Sequence, residues 1–192
     1  MSTHQPPLPD VNLLQNALQG VMQQREFCLQ AARALDAAGL QVLSHTLRFT
    51  ARQEAEHTSI LRALKGNDAP AASPPDLPRS PEAILQSAIT REEASRDCLQ
   101  CAARKAQESG FPRAAQTLQR IAETEEAHAR RFRRCLQRLQ DRTLLEGPRA
   151  TSWFCLKCGG LHHGCGAPEA CEACGSSRGH FIRSDFTPFA CG

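Results

Sequence analysis

The chain contains no run of eighteen apolar residues, so no part of it reads as a membrane-spanning helix. Its start, Met1 to Pro9, is polar and proline-rich and lacks the basic-then-apolar pattern of a secretory leader; a cytoplasmic protein is expected. A strong charge of one sign is missing too. A net charge of +3 and a pI near 8.4 are too mild to point to nucleic acid. The run Arg130, Arg131, Arg133, Arg134, Arg138 reads as a solvated face near a helix C-terminus, where cations are favoured. Without an export signal, ten cysteines argue for metal or thiol chemistry rather than a disulfide framework.

Helical periodicity fills the first three quarters of the chain. From Asp10, a plausible N-cap, Leu14, Leu18, Val21, Cys28 and Leu35 recur at steps of three, four and seven. Gly39 breaks the run, and a second helix carries Leu43, Leu47, Ala51 and Leu61 to Lys65-Gly66. Pro70, Pro74, Pro75 and Pro78 make the next segment a long crossover over 66–80. Ser80-Pro81 opens a third helix and Phe111-Pro112 a fourth, which runs to about Arg142. Gly39 matches Gly110, Leu47 matches Leu118 and Ala51 matches Ala122, so the halves are an internal repeat. Two helix hairpins joined by a long crossover form a ferritin-like four-helix bundle over 10–143. A hinge over 144–152 then leads to a small β/loop domain over 152–184.

Two motifs carry chemistry. Glu54-x-x-His57 is written again as Glu125-x-x-His128, both members recurring at the repeat spacing (54 to 125, 57 to 128). Positions i and i+3 share a helix face, so each motif offers a carboxylate and an imidazole to one point. Two such helices facing each other suit a di-metal site in a bundle. In the small domain, Cys155-Leu-Lys-Cys158-Gly159 and Cys171-Glu-Ala-Cys174-Gly175 are paired knuckles. Four thiolates at this spacing close a tetrahedral shell around one metal, and both iron and zinc accept that shell. The glycine after each pair permits a left-handed turn that lets backbone N–H groups approach the sulfurs.

Trp153-x-Cys155-x-x-Cys158-Gly159, His162, Gly164, Gly166-Ala167-Pro168-Glu169, Cys171-x-x-Cys174 and His180-Phe181 resemble the rubredoxin-like domain that ends rubrerythrins. The bundle resembles the same family, so the likeness covers about residues 11–183. It implies one iron at the cysteines, passing electrons to a di-iron site that reduces hydrogen peroxide, in a homodimer served by an electron donor that the sequence does not identify. Glu54 and Glu125 would bridge the metals, with His57 and His128 as terminal ligands. Glu172 departs from the usual proline, and Gly160 from a usual aromatic, which would expose the cysteine site.

The family pattern adds a glutamate on the first helix and two on the third, because a buried pair of iron ions needs carboxylates to neutralise it. Aligned without gaps from His57 and His128, those three positions become Val21, Arg91 and Ala94. Glu26, five residues after Val21, lies about 140° round the helix and does not substitute. Arg91 is expected to form an ion cluster with Glu54 and Glu125, a guanidinium standing in for a metal. The uninterrupted repeat gives another register, pairing Val21 with Glu92, which would then face inward.

Cys28 lies seven residues after Val21, and Cys98 seven after Arg91, with Cys101 at i+3, so these thiols are expected near the same centre. They read either as small core residues or as a redox or soft-metal group. Two functional expectations follow. One is an electron carrier with iron at the cysteines, linked by resemblance to peroxide reduction, whose bundle holds one metal or none. The other is a non-catalytic zinc- or iron-binding module on a helical dimer scaffold, acting as a thiol redox sensor.

Overall fold

The computed structural model describes residues 11–65 and 76–186. Asp10, the tail histidine His4, most of the crossover and Cys191 lie outside them. Helices α1 (Val11–Ala37), α2 (Gln41–Lys65), α3 (Pro81–Glu108) and α4 (Pro112–Gln140) form the bundle. α1 packs on α2, α3 on α4, and α1 also lies along α3. The Ser80 side chain accepts a hydrogen bond from the Ala83 N–H at 3.1 Å, so α3 starts with both the cap and the proline its sequence offers.

The repeat is visible in the turns. Gly39 and Gly110 have φ of +76° and +83°, and behind each the next residue's N–H closes back onto the helix. Leu40 N bonds Leu35 O and Phe111 N bonds Ala106 O, both at 2.9 Å. This is the glycine-terminated stop that satisfies the last helical carbonyls. The interior splits into two apolar clusters, one around Leu35, Leu43, Leu47, Leu85 and Phe132, the other around Leu18, Leu61, Leu99 and Leu118. Between them lies a polar centre.

The segment expected as a hinge is largely strand. β1 (Glu146–Cys155) begins well before Trp153 and pairs antiparallel with β2 (Leu161–Gly166) on one side and β3 (Phe181–Arg183) on the other. The register slips between Glu146 and Thr151. Trp153 is fully buried and its indole N–H donates to the Gly164 carbonyl at 3.1 Å. The small domain is seated on the bundle end. Ile182 is buried in the cluster that holds Leu35 and Leu43, and the Arg138 guanidinium lies 4.6 Å from the centre of the Phe186 ring. Gly179 meets the α1–α2 turn so closely that a Cβ there would stand 2.0 Å from the Gly39 carbonyl oxygen.

Candidate metal centres

The two knuckles are built alike. In each, the N–H of the glycine after the second cysteine returns to the carbonyl of the first: Gly159 N to Cys155 O and Gly175 N to Cys171 O, both 2.8 Å. Both glycines have positive φ, +75° and +70°. The sulfurs of Cys155, Cys158, Cys171 and Cys174 thereby come within 4.8 Å of one another. Cys158 and Cys171 sulfurs are 3.6 Å apart and those of Cys155 and Cys174 3.8 Å apart, the spacing of the edges of a small tetrahedron. The Gly160 N–H points at Cys158 Sγ at 3.4 Å. The Ser176 hydroxyl, 3.1 Å from Cys174 Sγ, and its backbone N–H bring that thiol down to about 6. A cleft of about 150 Å³ opens beside Cys171, lined by Gly160, Leu161, His162 and Phe181. A Cβ on Gly160 would sit 3.2 Å from Cys171 Sγ and 3.3 Å from Cys158 Sγ, so the glycine leaves the sulfurs uncovered on this side.

The second centre lies between the apolar clusters. Glu54 and His57 on α2, Glu92 on α3, and Glu125 and His128 on α4 converge there, and Glu54, Glu92, Glu125 and His128 are all fully buried. Ligand atoms of those last four lie within 4.8 Å of one another. His128 Nδ1 stands 2.9 Å from Glu54, 3.5 Å from Glu92 and 3.6 Å from Glu125. His57 Nδ1 is 3.1 Å from Glu125 and 3.5 Å from Glu54, and the two imidazoles stack with centres 5.8 Å apart. Burial would lower both histidines; the carboxylates outweigh it and lift His57 to about 9 and His128 to about 11. Glu92 is pushed well up by burial and by Glu54 and Glu125, whereas Glu125, despite burial, is held down by His128 and His57.

The expected Arg91 cluster is corrected by the structure. Arg91 turns away from the centre and lies over the Phe27 ring at 4.8 Å, while Glu92 faces inward. The third-helix register is the one set by the repeat. One residue is about 100° of helix, enough to move a side chain from the core to its flank. Ala94 is exposed, and the next inward position after Glu92 is Ser95, whose buried hydroxyl has no hydrogen-bond partner among the described residues. The positions without carboxylates are therefore Val21 and Ser95, and the centre carries three carboxylates rather than two opposed by an arginine.

The thiols follow from the same register. Cys98 shares the face of Arg91, seven residues before it, and is half-buried against the second apolar cluster with Cys101 beside it. Leu99, seven after Glu92, is the fully buried residue on the inward face. Cys28 is nearer the centre, fully buried, and its thiol is raised by burial and then by Glu92. None of these three joins either cluster of ligand atoms among the described residues.

Four residues at the bundle centre were not singled out by their sequence pattern. Gln24 is buried on α1 one turn after Val21, and its amide donates to Glu92 Oε1 at 2.7 Å. Gln53 Oε1 lies 3.1 Å from His128 Nε2, and Arg131 Nη1 donates to that same oxygen at 3.3 Å and to Thr50 Oγ1 at 2.9 Å. Arg131, expected in a solvated row, is instead partly buried with its guanidinium 5.0 Å from the Phe49 ring centre. Position i+3 from His128 was the available signal. Arg133 of the same row does meet acids at the surface, bonding both Glu93 and Glu126.

Buried atoms left without hydrogen-bond partners show that these residues fit a metal. Glu54 Oε1 and Oε2, Glu92 Oε2, Glu125 Oε2 and His128 Nδ1 are all buried, and none makes a hydrogen bond of good geometry. Buried oxygens and an imidazole nitrogen left this way around one point fit a divalent cation. The cysteine tetrahedron likewise fits one metal of the iron or zinc kind. Among the described residues, no helix is long and apolar enough to cross a membrane.

Comparison with known proteins agrees with the fold. The rubrerythrin family model matches residues 83–153. The chain is 32% identical to rubrerythrin of Nitratidesulfovibrio vulgaris (strain Hildenborough) over 147 residues, 74% of this chain and 77% of that one. It is 29% identical to rubrerythrin of Porphyromonas gingivalis over 147 residues, 74% of each chain. In structure it is similar to nigerythrin in a partially reduced state, with a TM-score of 0.64 and 22% identity over 95% of this chain and 88% of that one. A bacterioferritin of Rhodobacter capsulatus shares the bundle, with a TM-score of 0.63 and 18% identity over 69% of this chain and 85% of that one. With a ferritin-like bundle, a four-cysteine β domain and a relative of this identity along most of its length, the chain belongs to the rubrerythrin family of non-haem iron proteins.

Proposed function

We propose that the protein carries single electrons on an iron held by Cys155, Cys158, Cys171 and Cys174, and that its bundle centre holds one metal rather than two. The observation that carries the first half is the four-sulfur tetrahedron with N–H groups of the knuckles aimed at it. Iron in such a shell cycles between ferrous and ferric. The chain supplies the thiolates, the N–H donors that favour the more negative form, and an uncovered side at Gly160 where a donor protein approaches.

Charge decides the second half. Two ferrous ions bring four positive charges and two ferric ions six, against three carboxylates at a fully buried centre. One divalent cation is neutralised with a carboxylate to spare, and that carboxylate faces His57. On the α1 side the second metal would need a ligand where Val21, fully buried, offers only methyl groups. Gln24 meanwhile engages Glu92 Oε1, a contact suited to a singly committed carboxylate. The family's peroxide reduction therefore runs poorly or not at all on this centre. A homodimer is the expected assembly. Glu54 lies thirteen residues along α2 from Gln41, about 20 Å from the turn on which the small domain sits, so the two centres of one chain are well separated.

Metal analysis of the purified protein tests both halves. One iron per chain lost on mutation of Cys155 and Cys171, with at most one more lost on mutation of Glu92, is the expected result. Three irons per chain overturns the single-metal reading. A colourless, zinc-filled protein prepared with iron in excess overturns the electron-carrier reading and favours the zinc-binding module.

A further inference from the structure

The two Glu-x-x-His motifs are identical in spacing yet differ in what holds the histidine. We propose that Gln53 and Arg131 are positioning residues that preset His128, and not His57, as a metal ligand through Nδ1. This rests on the reading that the bundle centre takes one cation, and it identifies which half of the repeat is prepared for it.

Hydrogen-bond chemistry fixes the ring. A guanidinium only donates, so the Gln53 atom facing Arg131 Nη1 at 3.3 Å is the carbonyl oxygen, not the amide nitrogen. The same oxygen faces His128 Nε2 at 3.1 Å, so that nitrogen must carry a hydrogen and donate it. The proton that a bound cation would displace is then the one on Nδ1, the atom 2.9 Å from Glu54 and within 3.6 Å of Glu92 and Glu125. Arg131 is itself fixed, by its bond to Thr50 Oγ1 at 2.9 Å and by the Phe49 ring beneath it. Outer partners of this kind set the tautomer and ring angle of a metal-binding histidine, and their loss weakens metal binding by about 10- to 100-fold.

Among the described residues, the other half of the repeat has no such device. The counterpart of Gln53 is Thr124, whose hydroxyl donates to the Arg120 carbonyl. The counterpart of Arg131 is Ile60, 40% exposed and unable to donate. The ring of His57 is held through the carboxylates its Nδ1 faces. The repeat carries two histidines, and the residues one before Glu54 and three after His128 distinguish one of them from the other. The bias agrees with the carboxylates, since Glu92 joins the His128 cluster and Val21 stands at its repeat counterpart.

The test uses the full chain with its cysteine centre filled by one equivalent of zinc, titrated with cobalt(II), and with histidine labelled by ¹⁵N. Wild type is expected to show a slowly exchanging His128 Nε2–H proton before cobalt and one bundle cobalt after it. Arg131→Met keeps the aliphatic stem but loses the donor; cobalt affinity should fall about 10- to 100-fold and the Nε2–H proton should exchange too fast to see. Arg131→Lys should restore both most of the way, which a purely structural role does not predict. Gln53→Leu should reproduce Arg131→Met, and covers the case in which that variant folds poorly. Cobalt affinities within about twofold of wild type, against the loss of about 10-fold or more that outer partners give, with the Nε2–H signal intact in both variants, overturn the proposal. Wild type that takes no bundle cobalt overturns the single-metal reading; the proton-exchange comparison in metal-free protein still judges the Gln53–Arg131 contact separately.

Discussion

Replacing His57 by Gln in protein whose bundle is free of metal should remove a pH-dependent part of its stability. The imidazole is lifted from its ordinary 6.5 to about 9 because Glu125 and Glu54, at 3.1 and 3.5 Å, outweigh its burial. A group whose folded value is raised holds its proton in the native state while the unfolded chain has lost it. Its contribution is therefore complete below about pH 6.5 and disappears as pH climbs through about 9. One proton across that window corresponds to about 1.4 kcal/mol per pH unit, or about 3 kcal/mol in all. Urea unfolding followed by helical circular dichroism at about pH 6, 7.5, 9 and 10 reads the effect. The difference between wild type and His57→Gln should be largest at the acid end of this series and nearly gone at the alkaline end. A difference that stays constant across the range refutes the ion-pair account and leaves only a packing role.

Three further outcomes follow from the same geometry. Val21→Glu with Ser95→Glu brings the centre to five carboxylates, and bundle capacity should rise from one cobalt to two by metal analysis; an unchanged capacity contradicts the charge argument. Gly179→Ala has no room for its Cβ against the Gly39 carbonyl, so the small domain must lift from the bundle end; limited proteolysis should then cut near residues 141–146 at a rate several-fold above wild type. Burial raises Cys28 and pushes Cys135 up to about 12, so both should stay unlabelled by iodoacetamide at about pH 8 in native protein while exposed Cys165 reacts, as mass spectrometry of the digested chain would show.

The functional consequences of these centres depend on their different openness. The cysteine centre is at the surface, with Cys158 exposed and Gly160 leaving the sulfurs uncovered on one side. The bundle centre is enclosed by helical side chains, so its charges must balance internally. There, a valine stands at one carboxylate position and a serine at another, inside the same four-helix fold.

Much of this was legible from residue order alone. Glycines at 39 and 110, the proline-rich crossover, the duplicated Glu-x-x-His and the Cys-x-x-Cys-Gly pairs each impose a local geometry, because turns, helix faces and knuckles are set by neighbours within a few residues. They determined a ferritin-like bundle, a small four-cysteine domain and the meeting of Glu54, His57, Glu125 and His128. The tertiary structure alone decided what depends on a rotation of one residue or on partners far along the chain. Arg91 and Glu92 are adjacent, and helical periodicity tolerates either inward; packing of α3 against α1 and α4 chose Glu92 and sent Arg91 to Phe27. The Gln24–Glu92 bond joins residues 68 apart, and the Arg131–Gln53 contact residues 78 apart. No local pattern announces such pairs, because what brings them together is the folding of one half of the repeat against the other.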